Sequence, residues 1–485
     1  MVGWRSVTRV LGFVSTLVMA RLLMPSDFGL VAIATSLVAA IEAMSELGLR
    51  DALVRHPEND RKLFDTAFTM QLVRAVASAL VIGSGAWVAA AWFEDARLVP
   101  LVLIMAGVAF VGGLDNIAIV GFQRDLRFDI QFRLLLVPRL LQFTLTLAAA
   151  VMWRNYWALM LGVVVGRVAR TVMTYVVVPY RPGVTFDRWR DLIGFSFWSW
   201  FSSILGVALV RSESFILGPA LGPTNLGIYF VALEMGLLPL SEVIAPAATA
   251  LFAGFALAGN RGTDTIRLSP GVMGLLIIAV APFAIGISAT AGYMVAGLLG
   301  PKWEIGRDVI ALAGLMCIIA PVPYIAVMIL TATGNVHRAV YAKLGAVVNK
   351  IGLLLLLPAN PTPTTVAGAV GFALFGEAFM FCWQLRRCGR LEWKPAAWGV
   401  CRSLAACSAV AGLLWVTGLG WTPVDMPPAR ALLIGMPIGG VAVLIASGLH
   451  YALWWAAGRP DGPEASLVRL LRELLPKLLG KFGLA

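Results

Sequence analysis

Charge is scarce in this chain. Asp, Glu, Lys and Arg make up 13% of its 485 residues, against about a quarter in soluble proteins. That deficit excludes an ordinary soluble enzyme. Cysteine and histidine are scarce too, at five and three. The cysteines form no CxxC pair, and Cys382, Cys388, Cys401 and Cys407 lie in or beside apolar segments. With His56, His337 and His450 scattered, no ligand cluster forms, so neither a metal site nor a cofactor is expected. P-loop, DxD and nucleophile-elbow patterns are absent, which removes ATP hydrolysis by this chain and the usual signatures of an enzyme.

What the chain has in abundance is apolar length. Apolar residues make up 59% of it and the mean hydropathy is +0.85. They come in runs of about 20, each long enough to cross a bilayer. Runs such as LLIIAV lack the alternation of a membrane β-barrel. The fold class expected is an all-α polytopic membrane protein. Fourteen segments stand between polar or Pro/Gly-rich breaks: 3–24, 27–49, 65–93, 97–121, 133–153, 155–178, 193–219, 226–257, 268–290, 307–332, 338–357, 363–385, 396–418 and 430–457. The first reads as an uncleaved helix, because Arg9 and Arg21 punctuate it and no convincing small-x-small site follows. YRPGVTFDRWRDL, between the sixth and seventh segments, marks a boundary. The expected division is a first lobe at 1–178, a linker at 179–192, a second lobe at 193–385, two further helices within 386–457 and a tail at 458–485.

The formal net charge is +12, and in a membrane chain its meaning lies in its placement, not in nucleic acid. Connections after even-numbered segments, counted together with the adjoining segment ends, hold 19 Lys and Arg, and those after odd-numbered segments hold 6. The positive-inside rule then puts both termini in the cytoplasm. The end of the tail, PEASLVRLLRELLPKLLGKFGLA, gathers Leu467, Leu470, Leu471, Leu474, Leu478 and Phe482 on one helical face. It reads as a helix lying on the inner leaflet.

One pattern repeats. STLVMARLLMPSDFGLVAIA (15–34) matches ESFILGPALGPTNLGIYFVA (213–232) at a constant offset of 198. Pro25-Ser26-Asp27-Phe28-Gly29-Leu30 aligns with Pro223-Thr224-Asn225-Leu226-Gly227-Ile228. Each hexapeptide stops one helix with Pro, caps the next with Asp or Asn, and sets Gly where backbones can approach. Six segments separate the copies, an even number, so the lobes share one orientation. Parallel repeats are a transporter architecture, with the substrate path between the lobes.

ARLLMPSDFGLVAIA, SELGLRDALVR, QRDLRF, LGPTNLGIYFVALEMGLLPL and LLGPKWEIGRDV resemble recurring segments of bacterial polysaccharide-transport proteins. These are the Wzx-type O-antigen and exopolysaccharide flippases of the multidrug/oligosaccharidyl-lipid/polysaccharide exporter superfamily. The resemblance runs from about residue 5 to 385. It implies two six-helix lobes plus two C-terminal helices, alternating access, and an undecaprenyl-diphosphate-linked oligosaccharide carried from inner to outer leaflet of the bacterial inner membrane. A polysaccharide polymerase and co-polymerase would be its partners, besides membrane lipids. Relatives often carry Asp or Asn where Glu213 stands.

Ionisable groups at bilayer depth cost at least about 2.5–3.5 kcal/mol each, so each needs a partner or a wet cavity. Glu42 and Glu46 share one face of the second segment, and Glu234 and Glu242 one face of the eighth. Arg211 and Glu213 sit together in the seventh. A diphosphate needs fixed cations, and the Arg fork donates two hydrogen bonds at once. Arg9 and Arg211 are therefore expected in a cavity as diphosphate ligands, with Arg74 and Arg139 as further candidates. Glu42, Glu46, Glu213, Glu234 and Glu242 are candidate coupling or cavity acids. Structural roles compete: Arg21, Arg167 and Arg170 can snorkel to an interface, Arg74 can neutralise Glu46, and Arg139 can pair with Asp115. The run FSFWSWF (195–201) reads as an interfacial aromatic belt or as a platform for sugar.

Two other functions stay open. A cation-coupled multidrug exporter shares the architecture, though its cavity should favour acids over arginines. A membrane polysaccharide polymerase or ligase would need a sizeable outer loop, and the odd-numbered connections are short.

Overall fold

The computed structural model describes residues 2–45, 53, 60–124, 128–189, 197–244 and 265–469. Among them every regular element is helical. The longer helices are numbered in chain order. In the first half they are α1 (Val2–Leu22), α2 (Pro25–Ser45), α3 (Arg61–Ser84), α4 (Leu98–Gly113), α5 (Phe128–Trp153), α6 (Tyr156–Val177) and α7 (Phe197–Gly236). Then follow α8 (Thr265–Ala289), α9 (Gly306–Ile319), α10 (Pro321–Ala332), α11 (Val336–Leu355), α12 (Pro363–Cys388), α13 (Trp393–Val416) and α14 (Pro428–Ala456). Nine spans among the described residues are long and apolar enough to cross a membrane alone, or ten when α9 and α10, bent by 43°, are taken as one. The chain is an all-α, multi-pass membrane protein.

The chain divides into two compact units, Met1–Val231 with Leu354–Pro363, and Ala232–Leu353 with Thr364–Ala485. In the first, α5 and α6 form a close pair, α1 lies on α5, and α3 pairs with α4. α2 touches α3, α4 and α6. Its apolar side chains and small residues allow it to be enclosed: Leu30, Ile33, Ala34 and Ser36 are buried. Lipid cannot supply hydrogen bonds, so small and hydroxyl residues do the packing between such helices.

α7 is 40 residues long and holds a break at Gly222, where φ is 68° and ψ 166°. An L-residue rarely adopts that conformation, and glycine does so freely. The break separates the seventh and eighth expected segments.

In the second unit α8 is central, packed by α9, α10, α13 and α14. Beyond Arg267 near its start it is apolar all round, as a buried membrane helix must be. Arg402 on α13 is paired with the buried Glu464 of the short helix 463–469. That pair ties the first part of the tail to the bundle. Residues 470–485, the rest of the expected amphipathic tail, lie outside the described residues.

The polar connection after α6 is a strap on α3. Asp65 accepts from Tyr180 Oη at 2.5 Å and from Gly183 N at 2.6 Å. Thr185 N donates to Thr69 Oγ1 at 3.0 Å, and Arg188 Nη1 to Asp60 Oδ2 at 2.9 Å. Asp60 in turn caps α3 by accepting from Lys62 N. The amides of Gly183, Thr185 and Arg188 are thus satisfied by α3 side chains, as unpaired peptide groups require.

Candidate functional site

The candidate site lies in the first unit, where α7 runs along α2. Near one end Trp200 Nε1 donates to the Met44 carbonyl at 2.8 Å. Midway, Arg211 Nη1 donates to Ser36 Oγ at 3.4 Å, and Ser36 Oγ lies 3.4 Å from Ser214 Oγ. At the other end the two repeat turns meet, Gly29 beside Pro223 and Gly227 beside Pro25. Residue numbers fall along α2 as they rise along α7, so the helices are antiparallel.

Arg211 sits about midway along the first limb of α7, half-buried. The bond to Ser36 is its only hydrogen bond to a side chain among the described residues, and no carboxylate there lies within ion-pair distance of it. A guanidinium carries five donors, so most of its capacity is unspent. Arg74, on α3, is also half-buried and met by a hydroxyl: its Nη1 stands 3.5 Å from Ser45 Oγ, which also accepts from Ser78. Two arginines thus flank α2 about 13 Å apart along its axis, by the helical rise over Ser36–Ser45. Among the described residues both are met by hydroxyls and not by carboxylates, and the expected pairing of Arg74 with Glu46 falls outside those residues.

Glu213 is 2% exposed. Its oxygens accept from Ser212 Oγ and Tyr229 Oη, each at 3.3 Å. Tyr229 is wholly buried and lies beyond the Gly222 break, so this bond staples the two limbs of α7 together.

The remaining candidates are dispersed. Arg139 is exposed, donates to Gln142 Oε1 at 3.3 Å, and lies against Gly12 of α1. Its expected pairing with Asp115 is not formed. Asp115 is paired with Arg170 at 4.0 Å and accepts from Thr171 Oγ1 at 2.7 Å, because the end of α4 packs on α6. Glu42 is half-buried on α2. Glu234 and Glu242 are exposed in the second unit, Glu242 within the π-turn Leu240–Ile244. The Arg9 side chain and all of Glu46 lie outside the described residues. Among the described residues no group of three His, Cys, Asp or Glu is gathered to hold a metal.

Ser36, Ser45, Ser78, Ser214 and Tyr229 escaped the sequence reading. Each is an uncharged residue inside an apolar run. The packing of α2 on α3 and α7 gives the serines their partners, and the break in α7 at Gly222 brings Tyr229 to Glu213.

Fold and site define a polytopic helical membrane protein with half-buried cations beside helices that carry an internal repeat. Residues 18–305 match the family described as "Polysaccharide biosynthesis protein", and the chain belongs to that family. It is similar to the succinoglycan biosynthesis transport protein ExoT of Rhizobium meliloti (strain 1021), with 25% identity over 329 residues. That match covers 65% of each chain, just under two thirds. It is also similar to the lipopolysaccharide biosynthesis protein WzxC of Escherichia coli (strain K12), with 22% identity and 76% of each chain covered. Among solved structures, the lipid II flippase MurJ in an inward closed conformation superposes with a TM-score of 0.72 at 13% identity, covering 93% of this chain and 98% of that one. At that identity the likeness is one of fold.

Proposed function

We infer that the chain is a flippase that moves an undecaprenyl-diphosphate-linked oligosaccharide from the inner to the outer leaflet of the bacterial inner membrane. It serves O-antigen, capsule or exopolysaccharide assembly by alternating access, and performs no covalent chemistry. The observation that carries the reading is Arg211, a cation midway along a membrane helix whose only described side-chain partner is a hydroxyl. Burying such a charge without a counter-ion is costly, and a substrate diphosphate repays that cost. Membership of a polysaccharide biosynthesis family and a transport-named relative support the same substrate class.

Fourteen crossings, both termini inside, and two six-helix lobes at 1–178 and 193–385 complete the reading. The 19-to-6 loop bias and the 198-residue repeat support them. Arg9, Arg74 and Arg139 join Arg211 as cavity cations, the oligosaccharide fills the cavity, and the polyprenyl tail stays in lipid. Energy comes from an ion gradient, the membrane potential or removal of product, with Glu42, Glu46, Glu213, Glu234 and Glu242 as candidate coupling acids. A polymerase and co-polymerase receive the product.

The test compares lipid-linked intermediates in cells with and without the protein. Loss should leave the complete repeat unit on its carrier at the inner leaflet. If the intermediates and polymer are unchanged, while a cationic dye is retained in the deletion strain, the chain is a drug exporter instead.

A further inference from the structure

The two copies of the repeat turn touch each other through their glycines. A Cβ on Gly29 would stand 1.8 Å from the Pro223 carbonyl oxygen. One on Gly227 would stand 1.9 Å from the Pro25 carbonyl oxygen and 2.8 Å from Gly29 N. Each glycine therefore rests on the proline that opens the other copy's helix. The contact is reciprocal, as internal two-fold repeats allow. What each glycine meets is backbone, which cannot swing aside as a long side chain can. Around the crossing Leu30, Leu226 and Ile228 are at most 1% exposed.

The two copies are held differently. Asp27 moors the first: Oδ2 accepts from Met24 N at 2.9 Å and Oδ1 from Tyr156 N, at the start of α6, at 3.1 Å. The second follows the left-handed Gly222, and among the described residues its Asn225 amide donates only along its own chain, to the Leu221 carbonyl at 3.0 Å. One turn is tied to a neighbouring helix, and the other hangs from a backbone joint.

We propose that the Gly29–Gly227 crossing is the outer seal of the transport path, closed in this structure and parted when substrate leaves. The proposal rests on the flippase reading and its orientation, since both turns follow odd-numbered spans and so lie on the outer side. Glycine suits such a seal for two opposed reasons. Backbone-to-backbone approach leaves no gap for water or sugar. Yet the attraction is confined to a small area and to Cα–H···O contacts of roughly 0.5–1 kcal/mol each, so the closure is tight and easily undone. A larger side chain on either residue cannot occupy the closed state at all and shifts the balance toward the open one.

The experiment reads access. The five native cysteines are replaced, Ser214→Cys is introduced below the crossing, and right-side-out vesicles are treated with a membrane-impermeant maleimide. With both glycines present, labelling from outside should be slow. Gly29→Val and Gly227→Val should each speed it by about tenfold or more. Gly107→Val on α4, where a Cβ meets nothing within 4 Å, should leave it unchanged. Gly29→Ala, the smallest change that still clashes, serves where valine stops folding. Parental labelling rates in the glycine variants, in protein of normal amount and size-exclusion profile, would overturn the seal. Oligosaccharide flux in the same vesicles is scored separately. Absent flux with a glycine-dependent labelling rate would strike the flippase reading and leave the seal standing.

Discussion

Among the described residues, Arg211 on α7 is held against α2 by a hydroxyl, Ser36 Oγ at 3.4 Å, and not by an acid. A carboxylate there would hold the cation for good, whereas a serine orients it and leaves its charge for a ligand. Arg211→Ala should therefore abolish export while the protein still inserts. One charge-assisted hydrogen bond is worth about 1.5–3 kcal/mol, so a loss of at least tenfold is the floor. Arg211→Lys should keep part of the activity, because the charge remains and the two-pronged geometry does not. The check is polymer export normalised to protein level. Export at the parental rate by Arg211→Ala would make this arginine structural.

Glu213 and Tyr229 make a second, separable prediction. Tyr229→Phe removes a donor from a buried carboxylate and should cost stability by about 1–3 kcal/mol, the usual charge for a stranded buried group. Glu213→Gln keeps an acceptor for the tyrosine and should fold normally. If Glu213 carries the coupling proton, transport by Glu213→Gln should lose its dependence on an imposed pH gradient. Thermal unfolding and gradient-driven uptake in vesicles separate the two roles. A Gln variant that still responds to the gradient assigns Glu213 to holding α7 together.

The strap on α3 should answer to pH in one direction only. Arg188, first, and the Lys62 amide, second, hold the Asp60 carboxyl below its ordinary value. Burial and the Asp65 carboxylate push the Tyr180 phenol upward, so it stays a donor at every working pH. A depressed native value stabilises the folded form above the unfolded value, about 3.9, and the effect is lost as pH falls through the native one. Strap protection against proteolysis after Arg181 should be flat from about pH 8 to 5 and fall below about 4. Arg188→Ala should cut protection at neutral pH and remove that acid dependence. A strap equally protected in Arg188→Ala would show that Asp65 and Thr69 hold it without the ion pair.

The break in the repeat turn was legible because its chemistry is local to Pro and Gly, but of the two expected caps only Asp27 accepts from a helix-start amide, while Asn225 donates back to Leu221. The helices were legible because a membrane demands apolar length. Partner choice was not. Asp115 takes Arg170 over Arg139 because α4 packs on α6, a fact of packing that no spacing encodes. Ser36 and Ser214 are unremarkable in sequence and become a pair only when α2 and α7 run antiparallel. The linker's polarity announced a connection, but its docking on Asp65 and Thr69 depends on where α3 begins.

Asp27 offers a test of how the first repeat turn is fixed. It stands three residues after Met24, and its two oxygens serve two backbone donors at once, Met24 N and Tyr156 N. The first bond reaches back to the residue before α2, as the third residue of a capping box does. The second ties that helix start to the start of α6. Asp27→Asn retains one acceptor oxygen, so one of the two amides loses its partner in a site only 8% exposed. The expected cost is about 1–2 kcal/mol, in the range of a lost helix cap, and Asp27→Ala should cost more. Asn225 accepts no such bond from a neighbouring helix, so Asn225→Ala should cost less than either. Unfolding of the three variants in the same detergent ranks them. If Asn225→Ala proves the most damaging, the second turn is the moored one and the asymmetry runs the other way.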